Sequence, residues 1–319
     1  MNRDYDVICI GLLAANILIH PVSKTIFDTD VSLVDKMNII PGGDALNQAI
    51  ILARLGRKVS LCGKIGPDVF GRYLTDEVKK NNAGISTMII DADECTSSCA
   101  VLVQTNGSRN FLSYRGANEK FSLREIPEEN VFNTRIISIG SLLALPLLHG
   151  TELTGFLKKA KEHGCVTAVD TKHDTYRIGW EGIKESLSYV DYFLPSYDEA
   201  SYLSGETDPG RIAGFFLEAG VKNVIIKLGI KGCYLRSADY EQAIPTIDAE
   251  TIDTTGAGDN FVAGFLHAVL YGWDIKKCCD YANAVGAIST TKIGATTAVE
   301  SEVQVIDYTK THHELKRSV

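Results

Sequence analysis

Apolar strand-like runs alternate with amphipathic helix-like runs through most of this 319-residue chain. Parallel strands need crossover connections, and those connections cover both sheet faces with helices. The alternation therefore predicts a three-layer, Rossmann-like α/β core around a parallel-rich sheet. The expected strands are Val7–Leu12, Val59–Gly63, Arg135–Ile139, Val166–Asp170, Tyr192–Pro195, Lys222–Lys227, Cys233–Arg236 and Ala243–Ile252. The expected helices are Ala45–Leu55, Phe70–Asn81, Glu152–His163, Ile183–Leu187, Ala257–Tyr271 and Ile275–Thr291. Asp44 is the expected N-cap of the first helix, and Gly56 closes it. Two early stretches break the rhythm: Ile17–Ile40 and Cys99–Tyr114 read as extended, alternating segments. They predict a small β-sheet lid, built from insertions at about 17–40 and 99–114 of a single domain spanning 1–319.

Composition narrows the class. Hydrophobic residues make up 45% and charged residues 23%, the balance of a soluble globular enzyme. A net charge of −8 argues against nucleic-acid or acidic-membrane partners. No run approaches the roughly 18 apolar residues of a membrane span. The N-terminal Asp4 and Asp6 suit neither a signal nor a transit peptide, so a cytoplasmic protein is expected. The eight cysteines are dispersed, which predicts reduced thiols instead of a disulfide framework or a zinc site.

The segment Asp253-Thr254-Thr255-Gly256-Ala257-Gly258-Asp259-Asn260-Phe261 carries the chemistry. Phe261, Phe265 and Val269 recur at helical spacing, so a helix starts near Gly256. Amides at a helix N-terminus lack intrahelical partners and bear the positive end of the dipole. Gly256, Ala257 and Gly258 let an anion lie directly against them. Asp259 stands in that first turn, where a carboxylate can take a proton from a hydroxyl attacking a phosphoryl group. The competing reading makes Asp259 a helix cap and the glycines a tight turn. A Walker-type loop is excluded because no Lys-Ser or Lys-Thr follows the glycines, and a dinucleotide fingerprint fails at Phe261.

A second motif, Gly42-Gly43-Asp44-Ala45-Leu46-Asn47-Gln48-Ala49, is followed by Leu55-Gly56 and Gly63-Lys64-Ile65-Gly66-Pro67-Asp68-Val69-Phe70-Gly71. With Asp253–Asp259 far downstream, the chain resembles the ribokinase family of carbohydrate kinases (PfkB-type) over essentially its whole length. That resemblance implies transfer of the ATP γ-phosphoryl group to a sugar or nucleoside hydroxyl, with Asp259 as base and Gly256, Ala257 and Gly258 as anion hole. It assigns Gly42, Gly43, Asp44 and Asn47 to the acceptor sugar, joined by Asn16, which stands where the family usually has an Asp. It assigns Ser196, Lys227, Gly229, Gly232 and Asn283 to ATP. Ser196 departs from the family's Asn, and Lys227 stands where ribokinase has Thr. Glu199 matches an acid that organises hydrated Mg²⁺, whereas Asp253, Thr255, Ser289, Lys292 and Gly294 correspond to a K⁺ site. Lids in such kinases often pair between subunits, which implies a homodimer.

Asp44 adds a charge argument for the substrate. At about 4 Å two unit charges interact by roughly 4 kcal/mol near a protein surface, so an anion here would repel sugar phosphates and sugar acids. The leading expectation is a kinase for a neutral sugar of the fructose or ribose type. A nucleoside kinase is the enzymatic alternative, with Phe27, Phe111 and Tyr114 as a base platform. A sugar-binding regulator without catalysis is the alternative from another class, and a base beside an anion hole argues against it.

Overall fold

The computed structural model describes residues 3–317. Its strands are β1 (Tyr5–Ile10), β2 (Ala14–His20), β3 (Lys36–Gly42), β4 (Val59–Cys62), β5 (Lys64–Ile65), β6 (Ile89–Ile90) and β7 (Ser98–Val103). They continue with β8 (Arg109–Tyr114), β9 (Thr134–Leu142), β10 (Val166–Thr171), β11 (Tyr192–Phe193), β12 (Asn223–Lys227), β13 (Cys233–Ser237) and β14 (Glu241–Ile244). The helices are α1 (Asp44–Arg54), α2 (Val69–Lys80), α3 (Glu128–Val131), α4 (Gly150–Glu162), α5 (Tyr197–Ser204), α6 (Pro209–Glu218), α7 (Ala257–Leu270), α8 (Ile275–Ser289) and α9 (Glu302–Arg317).

The main sheet has eight strands in the order β14-β13-β12-β11-β10-β9-β1-β4. It is parallel from β4 to β12, and β13 and β14 close it antiparallel. Strand periodicity sends successive side chains to opposite faces. Val7 and Cys9 pack with α1, α7 and α8, while Ile8 and Ile10 pack with α4 and α6 on the other side. Both faces are therefore apolar, as a sheet covered by two helical layers requires.

A separate four-stranded sheet, ordered β3-β2-β7-β8, comes from the two stretches that break the strand–helix rhythm. The first segment extends a few residues beyond expectation at each end, because pairing runs Ala14 against Gly42, whereas the second begins at Ser98, one residue early, and ends at Tyr114 as expected. The 17–40 stretch is not extended throughout; a 3₁₀ turn at Lys24–Asp28 interrupts it.

Several expectations need correction. The strand expected over Ala243–Ile252 stops at Ile244, where Pro245 offers no N–H to the ladder. The helix expected at Ile183–Leu187 is a 3₁₀ turn, Lys184–Tyr189. Asp44 is not the N-cap of α1: that position is Gly43, and Asp44 is the first helical residue. The reading passed over α6, although Asp208 caps it and Pro209 opens it, the usual start signal.

Candidate active site

The residues singled out in the sequence gather beyond the C-terminal ends of β1, β9, β10 and β12, where open α/β sheets bind ligands. Gly256 adopts φ 75° as N-cap of α7, with no side-chain cap hydrogen bond. Its carbonyl accepts from Asn260 N–H at 2.9 Å, so the helix winds from Ala257 and puts Asp259 in its first turn. A Cβ at Gly256 would fall 2.5 Å from the Cβ of Ala295, so this turn needs glycine for both dihedral and space.

Asn47 Nδ2 donates to Asp259 Oδ2 at 2.6 Å, which joins the early and late motifs across the fold. The side-chain amide oxygen of Asn47, Oδ1, is buried with no hydrogen-bond partner among the described residues. Burial raises the Asp259 pKa, against the lowering pull of Lys172, with Asp44 adding to the rise and Asn47 opposing it.

Gly43 takes φ 98°, and a Cβ there would lie 2.0 Å from the Leu12 carbonyl oxygen. A Cβ on Gly42 would fall 2.1 Å from Asn16 Nδ2, so Asn16 of β2 rests directly on the glycine turn. Asp44 is buried; its Oδ1 accepts from Ala45 N–H at 2.7 Å and from the Ser141 hydroxyl. Ser141 itself has φ 57°, a strained conformation for a non-glycine residue next to the site.

Lys172 is the residue the sequence reading missed. Its Nζ lies 3.7 Å from Asp44 Oδ2. Burial would lower its pKa, but Asp44, Asp259, Asp170 and Glu199 together raise it. The charge argument from Asp44 therefore counted half of a pair. Four carboxyl groups (Asp44, Asp170, Asp259, Glu199) stand with two ammonium groups (Lys172, Lys227), and burial raises the pKa of Asp170 and Asp259, so a count of groups overstates the negative charge. Lys172 directly follows β10, and a charged residue just past a core strand was the available signal.

Removing that ammonium has a predictable sign. A general base works deprotonated, so activity falls as pH drops through its pKa. In Lys172→Met, Asp259 loses the cation that holds its pKa down. The acid limb of kcat/KM should move to higher pH than in wild type. An unmoved or lowered limb in pH–rate profiles of the two proteins would separate Asp259 from that limb.

Lys227, at the end of β12, does not end in solvent. Its Nζ holds both oxygens of Asp170, at 2.6 and 2.7 Å, in a buried pair. Burial pushes the Asp170 carboxyl up to about 7, against the pull of Lys227. The same ammonium lies 3.5 Å from the point a Cβ on Gly258 would occupy, beside the glycine turn that opens α7. Lys227, Gly229, Gly232, Ala257, Gly258 and Asn283 line one cavity of about 430 Å³, enough for a small ligand. Gly232 has φ 90° and lets β14 approach, since a Cβ there would meet the Ile244 carbonyl at 2.1 Å. Asn283 also braces this wall: its amide donates to the Ile244 and Pro245 carbonyls at 3.2 and 3.3 Å.

Ser196 and Glu199 form a capping box on α5, with Glu199 Oε2 accepting from Ser196 N–H at 3.0 Å. Thr171 also donates to that oxygen, at 2.9 Å. The two residues line a neighbouring cavity with Lys172 and His173, not the one lined by Gly229 and Asn283. Glu199 and Asp170 are near enough for each charge to bear on the other. One or two carboxylates beside bound phosphates are what a hydrated Mg²⁺ ordinarily needs, so this end of the site fits that ion.

The residues assigned to K⁺ behave differently. Asp253 Oδ1 accepts from Thr255 N–H at 2.9 Å and the Thr255 hydroxyl at 2.7 Å, and Oδ2 accepts from Gly294 N–H at 2.9 Å. Burial alone would raise the pKa of Asp253, but these donors hold the carboxyl below the usual carboxylate range. A guanidinium also sits there: Arg109 of β8 donates to Asp253 Oδ1 at 2.7 Å and to the Thr255 hydroxyl oxygen. Ser289 donates to the Gly286 carbonyl and Lys292 pairs with Glu300, so neither side chain joins the cluster. In this arrangement a guanidinium, and not a monovalent cation, holds the Asp253 carboxylate and the Thr255 hydroxyl oxygen.

Of the alternative base platform, Phe27 is 86% exposed, Phe111 62% and Tyr114 51%. No helix among the described residues is long and apolar enough to cross a membrane.

Comparison with known proteins gives this geometry a family. A protein named as a sugar kinase from Pyrococcus horikoshii is 34% identical over 83% of this chain and 84% of its own. A probable fructokinase-5 of Arabidopsis thaliana is 28% identical, covering 84% of this chain and 88% of that protein. The crystal structure of ribokinase from Thermotoga maritima superposes with a TM-score of 0.81 at 26% identity, over 97% of this chain and 99% of that one. The model of the pfkB family carbohydrate kinases matches residues 4–302. With a ribokinase-like fold and that match over nearly its full length, the chain belongs to the pfkB family of carbohydrate kinases.

Proposed function

We propose that this chain transfers the γ-phosphoryl group of ATP to a hydroxyl of a neutral monosaccharide, of the fructose or ribose type. The observation that carries the reading is the 2.6 Å hydrogen bond from Asn47 to Asp259. It ties the acceptor turn to the base at the N-terminus of α7, so one side chain orients both a sugar hydroxyl and the carboxylate that deprotonates it. The unpartnered Asn47 Oδ1 supports this, since a buried acceptor without a donor is costly and a sugar hydroxyl supplies one.

In this reading the sugar lies against Gly42, Gly43, Asp44, Asn47 and Asn16, and ATP fills the cavity lined by Gly229, Gly232 and Asn283. Asp259 accepts the proton of the attacking hydroxyl. The amides of Gly256, Ala257 and Gly258 meet the charge on the transferring group, which is most of what phosphoryl transfer asks of a protein. Lys227 stands beside them, held off by Asp170. Mg²⁺ would be held through the phosphates with Glu199, and Ser196 keeps Glu199 in its rotamer through the capping box. The Asp253 cluster is left out because Arg109 fills it.

The sheet β3-β2-β7-β8 acts as the lid of this site. Asn16 from β2 and Arg109 from β8 support that role, because both reach the two motif turns. Such a cover excludes water from the γ-phosphate and limits hydrolysis.

Neutral sugars are favoured because Lys172, the ammonium nearest Asp44 of the acceptor turn, already faces that carboxylate at 3.7 Å. A coupled ADP-release screen over neutral sugars, sugar phosphates, sugar acids and nucleosides tests this. The highest kcat/KM should fall on a neutral ketohexose or pentose. A sugar phosphate, a sugar acid or a nucleoside at the top would overturn the substrate class.

A further inference from the structure

Arg109 enters the active-site region from a strand of the small sheet and has no role in the scheme above. It opens β8, and its side chain is 28% exposed, while that of Asp253 is 4% exposed. The two Nη atoms contact consecutive parts of one turn: Nη2 the Asp253 carboxylate at 2.7 Å, and Nη1 the Thr255 hydroxyl oxygen. The Thr255 hydroxyl in turn donates to Asp253 at 2.7 Å, so guanidinium, hydroxyl and carboxylate close a ring of hydrogen bonds. That ring lies immediately before Gly256, the N-cap of α7, whose first amides form the anion hole.

Three features make the seat a cationic one already filled. Asp253 carries a full charge, held by the Gly294 and Thr255 donors. The Thr290 carbonyl, at the same junction, is engaged by the N–H groups of Ile252 and Asp253 at 2.8 and 3.0 Å. Ser289 and Lys292 point their hydrogen bonds elsewhere. A small cation seated here would have to displace the guanidinium from Asp253 Oδ1 and the Thr255 hydroxyl oxygen, the two oxygens that Arg109 holds. A guanidinium is permanently charged and presents a fixed fork of donors suited to a carboxylate.

We propose that Arg109 is a built-in cation: its guanidinium takes the place of a bound monovalent ion, fixing the Asp253–Thr255 turn and thereby the anion-hole amides. Arg109 is a positioning residue here, acting through the turn. Because it comes from the small sheet, the same contact couples the position of β8 to the order of the anion hole. The inference rests on the phosphoryl-transfer reading for its kinetic consequence, though not for its binding consequence.

The test compares wild type with Arg109→Ala in potassium and in tetramethylammonium buffers of equal ionic strength. Thermal unfolding of the ligand-free proteins is read first. Potassium should leave the wild-type melting temperature unchanged and raise that of Arg109→Ala, because the vacated oxygens become available. Turnover is read second, with the best sugar from the screen. Wild-type kcat should differ by less than about twofold between the salts, since general screening is matched. In tetramethylammonium, Arg109→Ala should lose on the order of 10²-fold in kcat, the effect of a misplaced anion hole, and potassium or added guanidinium should restore part of it. Potassium that stabilises or activates wild type would overturn the proposal. So would an Arg109→Ala protein that responds to potassium no more than wild type does. If no sugar in the screen releases ADP, the kinase reading fails, and the melting temperatures still decide whether the seat takes a cation.

Discussion

Asp259→Asn should lower kcat by at least about 10²–10⁴-fold while leaving the fold and both ligand affinities nearly intact. That loss corresponds to roughly 3–5 kcal/mol of barrier. The amide keeps the shape of the carboxyl and can still meet Asn47, but it cannot accept the hydroxyl proton. Burial raises the Asp259 pKa, which would make its carboxylate a stronger base toward a hydroxyl proton. The competing cap role predicts the reverse pattern, near-normal turnover with about 1 kcal/mol lost from stability. The N-terminus of α7 already speaks against that role, since its N-cap is Gly256 and no side chain caps it. Turnover and thermal unfolding of one purified variant distinguish the two patterns; a stable, fully active Asp259→Asn protein would remove the mechanism.

Gly43→Ala should be the most damaging single methyl in the acceptor turn. The residue sits at φ 98°, and the added Cβ would lie 2.0 Å from a backbone oxygen, that of Leu12, which has no rotamer to yield. Backbone strain and overpacking each cost about 1–3 kcal/mol, so the variant should lose roughly 2–6 kcal/mol of stability. If the turn moves to relieve the clash, Asn47 one turn into α1 moves with it, and the sugar KM should rise while the ATP KM holds. Gly56→Ala is the matching control: its φ is 82°, but nothing lies within 4 Å of the added Cβ. Only the dihedral cost of about 1 kcal/mol should appear there. Urea midpoints that fall equally in the two variants would show that the clash with Leu12 is absent in solution.

The α/β core was legible because short continuous apolar runs alternate with runs of helical period, and most of these met an observed element, the overlong strand expected past Ile244 and the 3₁₀ turn at Lys184–Tyr189 being exceptions. The two glycine motifs were legible because their positions demand glycine for reasons internal to the turn, such as φ 75° at Gly256 and φ 98° at Gly43. The partners of those motifs were not. Lys172 approaches Asp44 and Arg109 approaches Asp253 from remote segments, and nothing in a one-dimensional pattern encodes which carboxylate a basic side chain will find. Lys227 illustrates the same limit: its strand-end position was visible, whereas the buried Asp170 that receives it depends on the neighbouring order of β10, β11 and β12. Ser196 and Glu199 spell a capping box in sequence, and the structure forms it, so their spacing has a local explanation independent of any ligand.

Transfer to a sugar hydroxyl by a base at a helix N-terminus, under a cover that keeps water away, is visible in its phosphorus-containing products. Phosphorus NMR of ATP and the preferred neutral sugar with the wild-type protein tests it most directly. A phosphomonoester resonance should grow in step with ADP, no inorganic phosphate should accumulate, and ATP alone should persist. Release of inorganic phosphate in place of a sugar phosphate, or no turnover with any sugar in the panel, would contradict it.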